Sequence, residues 1–205
     1  MKISLEAVSK RYQRYWVFKD VSTTYEAGGR YAILGQNGSG KSTLLRIIAG
    51  IQPPSKGKVF YRSGDTMLEQ TNVFRHISFC APGMELPDEL TMEEFLNFHF
   101  TYKALLPGFS VKSIIEATGL SRAAYKPISE YSSGMKQRVK LAQAIFSDTP
   151  ILLLDEPCTN LDEAGVLQYR DWIADYAKGR TVIVASNDVR EFAFCEEQMR
   201  MSDYQ

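Results

Sequence analysis

The sequence predicts an α/β fold: a mainly parallel sheet flanked by helices, an antiparallel β portion at the N-terminus, and an inserted helical subdomain. Three observations carry the prediction. Short apolar runs of the buried-strand kind recur at 31–34, 151–154 and 181–185. Each is followed by a segment with helical spacing, which is the crossover that parallel strands require. Between the first and second of these runs, residues 91–147 are dominated by helical periodicity.

The elements follow in order. Residues 2–8 alternate through Ile3, Leu5 and Ala7 and predict a strand, with a second over 17–25. Gly28-Gly29 turns the chain into the run at 31–34. A glycine-rich loop precedes a helix over 42–49, ended by Gly50, Pro53 and Pro54. Several short strands occupy 57–80, the last at 77–80. A helix over 91–106 opens on the capping box Thr91…Glu94 and carries Phe95, Phe98, Tyr102 and Leu105 at helical spacing. A second helix over 110–119 stops at Gly119, and a third over 133–147 places Val139, Ala142, Ile145 and Phe146 on one face. The aromatic stripes read as core. A strand at 151–154, a helix at 163–178, a strand at 181–185, a short helix at 188–195 and a last strand near 198–202 complete the chain.

With 205 residues, the chain is expected to form a single domain, with its core over about 1–85 and 148–205 and the helical subdomain over about 86–147. At this size about 70% of the unfolded surface is buried, so no disulfide or metal is required for stability. Lys and Arg total 24, as do Asp and Glu, so net charge is zero and argues against a nucleic-acid partner held by a basic field. The first residues lack the apolar stretch of a signal peptide, and no apolar run is long enough to span a membrane. Cys80, Cys158 and Cys195 have no metal-ligand spacing and read as reduced structural thiols. His76 and His99 have no paired ligand nearby and read as structural or surface residues.

Gly35, Gln36, Asn37, Gly38, Ser39, Gly40, Lys41 and Ser42 match GxxxxGK[ST] between a predicted strand and a predicted helix. Glycines let successive N–H groups turn around an anion, and the helix N-terminus adds partial positive charge. Lys41 would reach the β- and γ-phosphates of a nucleotide, Ser42 would ligate Mg²⁺, and Thr43 would cap phosphate oxygens. The strand at 151–154 runs into Asp155 and Glu156, where ligands bind in open α/β sheets. Asp155 suits Mg²⁺, and Glu156 suits the deprotonation of a water. Read alone, such an acidic end is also how a strand leaves a core into a solvated turn.

The stretch YSSGMKQR at 131–138, lying between these two motifs, resembles the signature of the ATP-binding cassette (ABC) ATPases, the nucleotide-binding subunits of ABC transporters. It is similar to a variant common in exporters. The resemblance extends over nearly the whole chain, in family order. It implies that Tyr12 stacks on adenine, and that Ser132, Ser133 and Gly134 contact nucleotide held by a second copy or a second ATPase subunit. It also implies that Asp162, in TNLD at 159–162, faces across a homodimer or heterodimer. ATP and Mg²⁺ are the implied ligands. The implied partners are transmembrane permease subunits, which would hold the chain at the cytoplasmic face of a membrane, docked around residues 82–106.

Two positions depart from the family pattern. Pro82 stands where the family has a Gln, and Gln70 lies too early to substitute for it. Pro82 offers neither a side-chain amide nor a backbone N–H. Asn187 stands where the family has a switch histidine, and can still donate a hydrogen bond, without charge. The leading expectation is an exporter ATPase slowed by these changes, with Glu156, Lys41 and Asn187 as catalytic residues. The alternatives are an ATPase-impaired cassette acting as a dimerisation switch, and a soluble non-transport ABC ATPase.

Overall fold

A computed structural model describes residues 1–205 as two sheets and six helices. Strands β1 (Lys2–Tyr12) and β2 (Tyr15–Tyr25) form an antiparallel hairpin across a two-residue turn, with Tyr12 facing Tyr15. β4 (Lys56–Ser63) pairs with the other edge of β1, and β5 (Thr66–Leu68) completes this sheet in the order β2-β1-β4-β5. Both hairpin strands run further than their alternation suggests. Bulges between Leu5 and Lys10 break the period of two, and Ala7 sits there at φ 47°.

The second sheet is wholly parallel. It comprises β3 (Arg30–Leu34), β6 (Ile77–Cys80), β7 (Ile151–Asp155), β8 (Thr181–Ala185) and β9 (Glu197–Arg200), in the order β6-β7-β8-β3-β9. The order brings the C-terminal ends of β7, β8 and β3 side by side although they are far apart in the chain. Every residue of β7 and β8 is buried, which is why both read as unbroken apolar runs.

Helix α1 (Lys41–Ile48) follows β3 directly. It shares a core of 21 buried residues with one face of the parallel sheet and with the antiparallel sheet, through Leu44, Ile47, Phe18 and Tyr61. Helices α2 (Met92–Tyr102), α3 (Val111–Thr118), α4 (Ser133–Ile145) and α5 (Glu163–Tyr176) meet the other face in a core of 29 residues. Within it Phe146 meets Trp172 edge to face at a centroid distance of 5.2 Å, and the partly buried Tyr176 packs on Phe146 at 5.0 Å. Helix α6 (Val189–Phe192) is a single turn after β8.

Some boundaries differ from the periodicity. α2 ends at Tyr102 rather than 106, because Leu105 pairs with Ser147 in extended backbone and the Lys103 ammonium donates to the Phe74 carbonyl at 3.0 Å. Residues 70–76, read as part of a strand region, form 3₁₀ turns with Val73 as their one buried side chain. The expected final strand ends at Arg200, and residues 201–204 turn. No helix is long and apolar enough to cross a membrane.

Candidate functional site

The glycine-rich loop 35–40 leaves β3 and enters α1, as its sequence context requires. Gly40 caps the helix at φ 100°, and a Cβ there would stand 2.6 Å from Val17 Cγ1, so both backbone sign and space demand glycine. Lys41 Nζ donates to the carbonyls of Gly35 at 2.6 Å and Gln36 at 3.3 Å, folding the ammonium over the loop. The first N–H groups of α1 have no intrahelical acceptor. Ser39 Oγ is buried with no hydrogen-bond partner. Free helix donors, a poised ammonium and an orphaned hydroxyl fit a phosphate chain.

Across the sheet, Ser42 Oγ donates to Asp155 Oδ1 at 3.0 Å. Asp155 is 2% exposed. Burial raises its carboxyl above the usual range, and the Ser42 hydrogen bond only partly opposes this. Two hard oxygens, one on a desolvated carboxylate short of counter-charge, fit Mg²⁺. Tyr12, half exposed, accepts from Gln52 Nε2 at 2.7 Å, which lowers its hydroxyl below the usual range, and its hydroxyl also meets Thr43.

Glu156 follows Asp155 at φ 43°, a strained conformation for a side chain of this kind. Its N–H donates to the Ala185 carbonyl at 2.9 Å, extending the β7–β8 ladder by one residue. Asn187 Oδ1 accepts from Gly35 N–H at 3.2 Å, so the residue beyond β8 touches the start of the phosphate loop. Glu156 and Asn187 line one cavity of about 330 Å³ with Asn37, Thr159 and Glu191. A larger cavity of about 620 Å³ runs along the outer side of residues 35–39 and reaches Arg200.

The signature residues lie elsewhere. Ser132 caps α4 by accepting from Met135 N–H at 3.2 Å, and Ser133 is the first residue of the helix. A Cβ on Gly134 would stand 2.8 Å from the Asn160 carbonyl, so glycine is what lets this turn abut the 159–162 loop. Arg138 pairs with Asp162 at 2.8 Å, and Asp162 also caps α5 through Gly165 N–H at 2.9 Å. Ser132, Ser133, Gly134, Asn160 and Asp162 share a separate cleft of about 400 Å³. No residue is common to this cleft and the phosphate-loop cavities. The structure therefore joins Lys41, Ser42, Asp155, Glu156 and Asn187, and keeps Ser132, Gly134 and Asp162 apart from them.

Four polar residues escaped the sequence reading. Gln137, Lys140 and Gln143 recur every three residues on the buried face of α4. Gln137 Nε2 donates to the Pro157 carbonyl at 2.7 Å, Lys140 Nζ to that of Pro82 at 2.9 Å, and Gln143 Nε2 to that of Phe79 at 2.9 Å. Pro82, lacking an amide, is thus held through its carbonyl. The three-residue spacing of polar groups was the available signal. Glu191 is the fourth, buried beside the cavity that holds Glu156.

A family model described as ABC transporter matches residues 18–159. The cytochrome c biogenesis ATP-binding export protein CcmA of Rhizobium meliloti is 32% identical over 197 residues, covering 94% of each chain. The sulfate/thiosulfate import ATP-binding protein CysA of Synechococcus elongatus is 33% identical over 210 residues, covering 98% of this chain and 58% of its own. Several relatives are likewise longer, the chain spanning less than two thirds of their length. Among solved structures, the dimeric post-hydrolysis state of the ATP-binding cassette MJ0796 bound to ADP and Pi superposes with a TM-score of 0.80 at 26% identity. That match covers 97% of this chain and 93% of the other.

Proposed function

The chain belongs to the ABC transporter family, and from that premise we propose that it is the ATP-hydrolysing subunit of a membrane transporter working as an exporter. The carrying observation is the convergence of Lys41, the Ser42–Asp155 pair, Glu156 and Asn187 at the ends of β3, β7 and β8. Lys41 turns from its two loop carbonyls to the β- and γ-phosphates, and Tyr12 presents a ring face to adenine. Ser42 and Asp155 would hold Mg²⁺, which neutralises phosphate charge when bound. Glu156 orients a water in the adjoining cavity and takes its proton. With its Oδ1 engaged by Gly35, Asn187 keeps its amide N–H₂ to donate toward the γ-phosphate.

The separate signature cleft supports a two-chain site, in which Ser132, Ser133 and Gly134 of one copy close over nucleotide held by the other. The cassette named in the dimeric neighbour favours the same arrangement. A groove of about 560 Å³ lined by Arg46, Ile51, Phe79, Gly83 and Met84 is the seat for a transmembrane partner. The exposed Phe98–Tyr102 pair on α2, 5.3 Å apart, offers such a partner a further apolar contact. The export direction rests on the signature variant and on the export protein among the relatives, against an import protein of equal likeness.

Phosphate release from wild type and Glu156→Gln tests this reading. A fall of about 10²- to 10⁴-fold is expected for loss of a general base. Equal rates overturn the role of Glu156. Pro82 and Asn187 favour a second reading, an ATP-driven dimerisation switch, and a wild type that dimerises with ATP but releases no phosphate establishes it. Capture of soluble partners only, with no polytopic membrane protein, overturns the transport reading.

A further inference from the structure

Glu191 is a carboxylic residue only 4% exposed. A buried carboxylate persists only where donors replace its water. Its Oε1 accepts from the N–H of Cys158 at 2.6 Å, two residues beyond Glu156. The Ser186 hydroxyl, next to Asn187, lines the same cavity as Glu191. That hydroxyl accepts in turn from Asp188 N–H at 2.9 Å. The backbone carbonyl of Glu191 accepts from Tyr169 of α5 at 2.8 Å, which anchors the short helix to the core.

These contacts tie the loop after β7, which carries Glu156, to the segment after β8, which carries Asn187. Glu156 holds a left-handed backbone, which endures only where its surroundings over-determine it. Two constraints on it are backbone bonds, from Glu156 N–H to Ala185 and from Thr159 N–H to Glu156. The third, at Cys158, comes from the side chain of Glu191.

We infer that Glu191 is a positioning residue that sets Glu156 and Asn187 relative to one another by holding Cys158 to the short helix that follows Asn187. It acts on them through the loops. The inference rests on the ATPase reading above, and its test keeps the two separable.

The test measures phosphate release against ATP concentration, together with iodoacetamide alkylation of Cys158, in the full chain. Glu191→Ala is expected to lower kcat about 10- to 100-fold at unchanged KM, the range that small misplacement of a reacting group produces. Cys158, now 8% exposed, is expected to alkylate faster once its loop is released. Glu191→Gln retains an acceptor for Cys158 N–H, and should restore most of kcat and the slow alkylation. Glu191→Asp withdraws the carboxylate by one methylene and serves where the alanine variant fails to fold, with reduced kcat again expected at unchanged KM. Wild-type kcat in the alanine or aspartate variant overturns the inference. So does a glutamine variant as impaired as alanine, since charge rather than position would then matter. A wild type that releases no phosphate overturns the ATPase reading instead. Alkylation then decides alone, and equal rates in wild type and Glu191→Ala overturn the clamp.

Discussion

Asp155→Asn separates what the buried carboxylate costs the empty protein from what it contributes with a cation bound. Asp155 is 2% exposed and receives one hydrogen bond, from Ser42 at 3.0 Å. Burial raises its carboxyl above the usual range. A carboxyl raised in the folded state contributes stability that is full below its unfolded pKa and lost as pH rises through the folded one. At neutral pH the ionised group is therefore a cost to the empty protein, and the asparagine variant should melt higher. With nucleotide and Mg²⁺ the order should reverse. A ligand at a hundred times its Kd adds about 2.7 kcal/mol. At about 2–4 °C per kcal/mol for a domain of this size, the wild type should gain about 5–11 °C. The asparagine variant should lose most of that gain, because its amide carries no charge for the cation. Thermal melts of both proteins, empty, with ATP and EDTA, and with ATP and Mg²⁺, provide the comparison. An asparagine variant that melts below wild type when empty, yet keeps the full Mg²⁺-dependent gain, refutes the reasoning.

Two further outcomes follow from the geometry. Gly57 sits at φ 82°, and a Cβ there would lie 2.4 Å from the carbonyl oxygens of Glu6 and Ala7 in the bulge of β1. Gly57→Ala should cost about 2–4 kcal/mol in denaturant unfolding, since backbone cannot move aside as a flexible side chain does. His99 packs near Ser147, its Nε2 3.0 Å from Ser147 Oγ, and burial, with help from Lys103, lowers its pKa to about 4 from the ordinary 6.5. The unfolded chain then binds the proton first, so stability should fall as pH drops from 6.5 toward 4, and melts of His99→Gln should lose that part of the slope.

Much of the site was legible in the chain because its chemistry is local. A loop that wraps an anion needs closely spaced glycines, a lysine and a following helix, and 35–42 carries them in order. The buried strands were equally plain, since β7 and β8 are covered on both faces and need no alternation. The ends of elements were less plain. Leu105 lies at a helical spacing from Tyr102, yet its backbone is extended and bridges Ser147. Periodicity reports that Leu105 is apolar, and cannot tell a helix face from a strand that packs on the same core. The bulged β1 failed the opposite way: Ala7 at φ 47° interrupts a strand that continues to Tyr12.

The amino-acid sequence by itself determined the phosphate loop, the acidic strand end, the signature and the α/β alternation, since each rests on neighbours within a turn or a strand. The tertiary structure decided which of them meet. Ser42 and Asp155 are 113 positions apart, Gly35 and Asn187 are 152 apart, and Cys158 and Glu191 are 33 apart. Two of these pairs meet because the parallel sheet sets β7, β8 and β3 side by side, and the third because α6 folds back on the loop after β7. The same order leaves Ser132 and Gly134 in a separate cleft that shares no residue with the phosphate-loop cavities. Strand order is set by burial of two apolar faces at once, a property of the whole packed chain that no local stretch of sequence carries.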